Sequence, residues 1–62
     1  MPNQRAFQEG AKRYRAGMQA AKHDYYTCGA GTVRSELLYG LQGRSATFCK
    51  GYKDYFRRYV GM

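Results

Sequence analysis

The sequence has no tryptophan and contains only two cysteines, one histidine, one proline and four acidic residues. A small secreted protein typically carries about four to eight cysteines, so Cys28 and Cys49 are expected to be reduced thiols. A single bridge between them stays open as an alternative. With His23 as its one histidine and no pair of acids set by local spacing, the chain offers no catalytic or metal-binding constellation. The sequence therefore predicts no enzyme, no metal, no cofactor and no small-molecule substrate.

Long hydrophobic runs are also missing. No stretch reaches the roughly 18 apolar residues of a membrane-spanning helix, and residues 1–8 lack the apolar run of a signal peptide. We therefore expect a cytoplasmic protein without a membrane partner. The chain has 62 residues, and below about 70–80 residues a core rarely supplies more than ~3–5 kcal/mol. The sequence predicts a single domain, 1–62, too small to hold both a substrate pocket and its scaffold.

Positive charge and aromatic rings dominate what the chain does contain. Eleven Lys and Arg against four acids give a net charge of +7, and seven Tyr and three Phe accompany them. Charge of one sign destabilises a compact state by self-repulsion, so it usually serves a polyanionic partner. Tyr and Phe add flat faces on which unpaired bases stack. The composition therefore indicates a nucleic-acid partner, and RNA rather than DNA.

The spacing of apolar residues predicts a first helix over 3–22, with Asn3 as a candidate N-cap. Its apolar residues recur at helical steps and share one face: Phe7, Ala11, Tyr14, Met18 and Ala21. Cations line the opposite side: Arg5, Lys12, Arg15 and Lys22. Gly10 and Gly17 interrupt this helix at about 1 kcal/mol each, a cost that close approach of another helix would offset.

Residues 23–31 break the periodicity, and their glycines and polar residues predict a loop. Tyr25 and Tyr26 in this segment either plug the gap between helices or offer an exposed surface for stacking. A second helix is expected over 32–43, capped by Thr32. Its apolar face consists of Val33, Leu37, Leu38 and Leu41.

A third helix is expected over 45–60, with Ser45 as its N-cap. Its aromatic face consists of Phe48, Tyr52, Tyr55, Phe56 and Tyr59. Its basic residues are Lys50, Lys53, Arg57 and Arg58. The predicted fold is thus all-α, a small helical hairpin with an additional C-terminal amphipathic basic helix. That last helix packs in the core, and its charged face is either simply solvated or docks on an RNA backbone.

Three short motifs carry a family resemblance. Residues 5–10, Arg-Ala-Phe-Gln-Glu-Gly, resemble an Arg-Ala-x-Gln-x-Gly opening, and Gly17 follows at the same spacing. Tyr25 falls at the tyrosine of a Cys-Pro-Tyr motif. Residues 34–41, Arg-Ser-Glu-Leu-Leu-Tyr-Gly-Leu, resemble Arg-Ser-x-Trp-Leu-x-Gly-Trp. These are the motifs of the bacterial ribosome modulation factors, which have small relatives in phage and prophage genomes.

The resemblance covers about two-thirds of the chain, residues 5–43, and departs from the family in several places. Leu37 and Leu41 stand where the family has tryptophan, and Asp24 replaces the loop proline. The segment 44–62 has no clear counterpart. Apolar packing survives the change from Trp to Leu, so the fold carries over better than any stacking role of the tryptophans.

What the resemblance implies is a two-helix protein that binds the small ribosomal subunit beside the 3′ end of its RNA. Such proteins block initiation and favour the pairing of ribosomes into inactive dimers. We therefore expect a hibernation-type inhibitor of translation. The expected RNA contacts are Arg5, Lys12, Arg15, Tyr25, Tyr26, Arg34, Lys50, Lys53, Arg57 and Arg58. The residues expected to hold the helices together are Phe7, Tyr14, Leu37, Leu38 and Leu41.

Other functions fit the same composition. A phage- or plasmid-encoded inhibitor could occlude a host polymerase, nuclease or CRISPR effector by protein–protein contact, with aromatic anchors and weak salt dependence. A DNA-binding module could use the second and third helices as a helix-turn-helix, although no Asn or Gln follows Gln42 to read bases. A basic helix on a membrane surface is the weakest alternative, because tryptophan is absent.

Overall fold

Three helical segments make up nearly all of the described chain. The computed structural model describes the backbone of residues 4–61 and the side chains of residues 8–61. Helix α1 spans Gln4–Cys28. Helix α2 spans Ala30–Ser35 and continues as a π-helical turn, Glu36–Gly40; helix α3 spans Ala46–Tyr55 and continues as a second π-helical turn, Phe56–Val60. These residues contain no strand, which confirms the predicted all-α fold.

The first helix is longer than predicted, and the loop over 23–31 is wrong. Helix α1 continues through Cys28, and only Gly29 leaves helical geometry. The polar residues that suggested a loop gain partners inside the fold. Asp24 accepts a hydrogen bond from the Tyr52 hydroxyl at 2.7 Å, and Tyr25 packs against the core. These contacts over long sequence separation stabilise two further helical turns, which local composition does not reveal.

Gly29 makes the first chain reversal. Its φ of 94° lies in a region that side chains rarely allow, which is why a glycine ends α1 here. Its amide nitrogen donates to the Tyr25 carbonyl oxygen at 2.9 Å, as the last bond of α1. Its own carbonyl then accepts from Val33 as α2 begins.

The two predicted caps have different outcomes. Ser45 is the N-cap of α3, and its hydroxyl accepts a hydrogen bond from the Phe48 amide at 3.1 Å, as predicted. Thr32 is not a cap, because α2 begins at Ala30 and its N-cap is Gly29, without a side-chain bond. Asn3 lies outside the described residues, as do the side chains of Arg5 and Phe7.

Helices α1 and α3 approach until backbone touches backbone. A Cβ atom on Gly17 would overlap the Phe48 carbonyl oxygen and lie 2.9 Å from the Tyr52 amide nitrogen. A Cβ atom on Gly51 would likewise overlap the Tyr14 carbonyl oxygen. The two glycines therefore form a reciprocal contact that no larger residue fits. This confirms the predicted close approach at Gly17.

Helix α3 runs in the same direction as α1. Arg13, in the first half of α1, borders the same cleft as Ser45 and Phe48 at the start of α3. Tyr26, near the end of α1, borders a cleft with Tyr59. The chain therefore ascends through α1, returns through α2 and ascends again through α3.

The fully buried core is small and lies between the three helices. It consists of Ala21, Val33, Tyr52 and Tyr55. Leu37 and Leu41 pack against this core while half-buried, as the sequence predicted. Leu38 does not, because 62% of its surface is exposed on the π-helical turn that follows α2. A wider turn rotates the following residues away from the face that 3.6-residue spacing assigns to them.

No helix within residues 4–61 combines the length and apolar character needed to cross a membrane.

Candidate functional site

Two tyrosine–carboxylate hydrogen bonds join α1 to α3 and engage half of the acidic residues. The Tyr14 hydroxyl donates to Asp54 Oδ2 at 2.5 Å, and the Tyr52 hydroxyl donates to Asp24 Oδ2 at 2.7 Å. Each bond crosses between the helices, one in each direction. Their carboxylates are thereby turned toward the helix pair, so the outer surface is left with an excess of cations.

The electrostatic effects of these bonds follow from their chemistry. The hydrogen bond from Tyr14, with help from the nearby Lys50 ammonium, holds the pKa of the Asp54 carboxyl below its usual value, although partial burial opposes this. The same bond raises the pKa of the Tyr14 hydroxyl. Burial, and then the bond to Asp24, raises the pKa of the Tyr52 hydroxyl. All of these groups therefore keep the ionisation that their bonds require at neutral pH.

The lowered pKa of Asp54 predicts a loss of stability in acid. Since the folded pKa lies below the unfolded value of 3.8, the stabilisation is complete above that value and is lost as pH falls through the folded pKa. The melting temperature should therefore fall between about pH 5 and pH 2, and Tyr14→Phe should make that decline shallower. Circular dichroism melts over this range would measure it, with Tyr39→Phe as the control. A Tyr14→Phe variant with the wild-type pH profile would contradict the role of this bond.

The cations lie on the outside of the bundle. Every Lys and Arg other than Arg5 has a described side chain, and all of them are exposed. Within this described set, Lys50 alone lies within salt-bridge distance of an acid, 3.5 Å from Asp54 Oδ2. An exposed pair of this kind is weak, at about 0.2–1 kcal/mol. The positive charge is thus available to a partner.

The structure groups some of the predicted RNA-binding residues and separates others. Lys12 and Arg15 lie on the outer face of α1. Arg57 and Arg58 border a cleft of about 320 Å³ with Asp54 on α3. Lys53 faces the other way, toward Leu37, Leu38 and Leu41. Arg34 lies exposed on α2 and does not line either cleft.

Tyr25 and Tyr26 take different roles, so the two readings of this pair apply to one residue each. Their rings are 5.5 Å apart between centroids. Tyr25 is half-buried and packs against the core, where it fills space between helices. Tyr26 is 71% exposed. Of the two, Tyr26 alone presents a ring face to a partner.

Tyr26 belongs to an open cleft of about 330 Å³ between the C-terminal halves of α1 and α3. We call it the tyrosine cleft, and its lining residues are Met18, Gln19, Lys22, Tyr26, Tyr55 and Tyr59. The Tyr59 ring is 58% exposed and lies 4.8 Å from the nearly buried ring of Tyr55. The lining therefore combines aromatic faces, one amide and one ammonium group, and it includes no acid.

Sequence reasoning left Lys22 and Tyr59 out of the candidate site. Lys22 shares the basic side of α1 with Lys12 and Arg15, but the predicted loop placed it at the helix end. A helix continued through Tyr26 would have shown that Lys22 and Tyr26 are one turn apart. Tyr59 was assigned to the packing face of α3. The π-helical turn Phe56–Val60 leaves it beside the cleft instead.

The thiols and the metal ligands add nothing to this site. Cys28 is exposed and Cys49 half-buried, and both are free thiols. Among the described residues, no three His, Cys, Asp or Glu side chains are grouped so that they could hold a metal ion.

Comparisons with protein-family models, with curated proteins and with solved structures found no match to this chain. The resemblance to the ribosome modulation factors therefore rests on the short motifs within residues 5–43.

Proposed function

We propose that this protein binds RNA of the small ribosomal subunit and inhibits translation as a hibernation-type factor in the cytoplasm. It does so by docking, without catalysing a reaction. Its proposed RNA surface is the basic side of α1 together with the end of α3. On that surface cations contact phosphates and release their counterions, which supplies the affinity.

The observation that carries this proposal is the tyrosine cleft with cations on both sides. Lys22 lines it, and Arg58 follows Tyr55 and precedes Tyr59 on α3, close enough for its charge to lower the pKa of Tyr14. Exposed aromatic faces among cations are what single-stranded nucleic acid requires, since one strand offers both phosphates and base faces. The motifs at residues 5–10 and 34–41 direct the proposal to the ribosome.

Sedimentation through a sucrose gradient tests the proposal. Purified protein is mixed with bacterial ribosomes at low and at moderate salt, and each fraction is probed for the protein. We expect it to migrate with the small subunit and to dissociate as salt rises. An added peak of paired ribosomes would identify hibernation specifically. Protein that stays at the top of the gradient at both salt concentrations would disprove ribosome binding.

Arg34 provides a point test, because it lies in the Arg-Ser motif at residues 34–35 and is exposed. Arg34→Glu should weaken co-sedimentation by about tenfold, through loss of a phosphate contact and added repulsion. The melting temperature should stay unchanged, since an exposed substitution contributes little to stability. Arg34→Lys keeps the charge and should retain most of the binding. Unchanged co-sedimentation of Arg34→Glu would remove Arg34 from the interface.

A second function is favoured by an apolar patch on the π-helical turn after α2. Leu38 is 62% exposed and Tyr39 is 72% exposed, side by side. Such a patch suits an inhibitor that occludes a host protein complex by aromatic and aliphatic contact. Binding through it would change little with salt and would be lost in Leu38→Ser. Salt-sensitive binding that Leu38→Ser leaves intact would favour RNA.

A further inference from the structure

We propose that the tyrosine cleft binds the base of one unpaired nucleotide, so that this protein recognises single-stranded rather than duplex RNA. This rests on the proposed RNA binding and specifies its substrate. The base would stack on the exposed rings of Tyr26 and Tyr59. The phosphates on either side would contact Lys22 and Arg58.

The shape and lining of the cleft suit a base. At about 330 Å³, it falls at the lower end of the ~300–1,000 Å³ typical of small-ligand sites. Tyr55 is 8% exposed and lies under Tyr59 with its ring centroid 4.8 Å away, so it holds the Tyr59 ring in place. A ring that is already ordered loses little freedom when a base stacks on it.

The polar groups of the cleft suit nucleic acid better than an aliphatic ligand. Met18 is its single aliphatic side chain, whereas Gln19 supplies an amide and Lys22 an ammonium group. An amide pairs with the hydrogen-bonding edge of a base, and an ammonium pairs with phosphate. Because Asp54 is hydrogen-bonded to Tyr14 and lies beside Lys50, the neighbouring cleft at Arg58 also keeps a net positive charge.

The same geometry excludes a paired base. Within an A-form duplex both faces of each base are covered by its neighbours, and the base edges lie in the grooves. A ring can stack only on a base that has left the helix. Loops, bulges and strand ends are therefore the RNA elements that this cleft would bind.

Fluorescence anisotropy with two RNAs tests this inference. One probe is a labelled oligouridylate of about 10 nucleotides, and the other is a blunt duplex of equal total charge. Wild-type protein should bind the single strand more tightly. Tyr26→Leu and Tyr59→Leu should each weaken single-strand binding by about tenfold, because base–aromatic stacking contributes ~1–3 kcal/mol per base. Duplex binding and the salt dependence should stay as in wild type.

Tyr39→Leu is the matched control, because Tyr39 is equally exposed but lies outside the cleft. It should bind both RNAs as wild type does, and thermal melts would establish that all three variants fold. Equal losses for both RNAs, or no loss in the two cleft variants, would overturn the cleft proposal and leave RNA binding standing. Wild-type protein that binds neither RNA nor ribosomes would overturn the proposed function and this inference with it.

Discussion

Gly17→Ala should lower the melting temperature by roughly 10–20 °C, the largest effect that we expect from a single substitution. The added Cβ would overlap the Phe48 carbonyl oxygen and lie 2.9 Å from the Tyr52 amide nitrogen. Both are backbone atoms of α3, so no side chain can rotate away and the helices must separate. Overpacking costs about 1–3 kcal/mol or more, a large part of the ~3–5 kcal/mol available to a core of this size.

The same substitution at Gly10 is the control. Gly10 lies in the same helix, and a Cβ there would meet nothing within 4 Å. Gly10→Ala should therefore stabilise the protein by up to about 1 kcal/mol, through helix propensity alone. Thermal melts followed by circular dichroism would compare the two variants. If Gly17→Ala melted as Gly10→Ala does, the backbone contact between α1 and α3 would be refuted.

Reversing the two cations beside the tyrosine cleft, Lys22→Glu with Arg58→Glu, should weaken binding to the oligouridylate by about a hundredfold at low salt. Each lost phosphate contact removes released counterions, so the dependence of affinity on salt should become shallower by about one power per contact. The gap to wild type should close as salt rises. Both side chains are exposed, so folding should be retained.

Arg13→Glu with Arg44→Glu is the matched control for charge. It changes the net charge by the same amount, but these residues border a different cleft, beside Phe48 at the start of α3. Anisotropy titrations at several salt concentrations would compare the two double variants. A clearly larger loss for the Lys22 and Arg58 pair would localise the RNA strand. Equal losses would mean that net charge alone governs binding and that no strand follows the tyrosine cleft.

Local sequence was sufficient to predict several features of the fold. The apolar steps from Tyr14 to Ala21 predict α1, and the Ser45 hydroxyl predicts the start of α3. Helical spacing placed Tyr52 and Tyr55 on the packing face, where the structure buries them. These features depend on neighbours within about one turn, for which residue spacing is informative.

The candidate site could be predicted only in part. The basic surface follows from composition, since eleven cations on so short a chain have nowhere to go but outward. The tyrosine cleft does not, because it joins residues of two helices that are more than thirty positions apart. Tyr25 and Tyr26 also could not be separated in advance. Adjacent residues on a helix point about 100° apart, and the position of α3 decides which of them is covered.

The sequence by itself therefore determined that this chain is helical, basic and aromatic, and where α3 begins. Only the tertiary structure decided that α1 extends to Cys28, that Gly17 meets Gly51, that Leu38 is left exposed and that Tyr59 joins Tyr26. The physical reason is the same in each case. Helix formation depends on local spacing, whereas a helix end, a close approach or a cleft depends on contacts that form only after the chain has reversed at Gly29 and returned through α2.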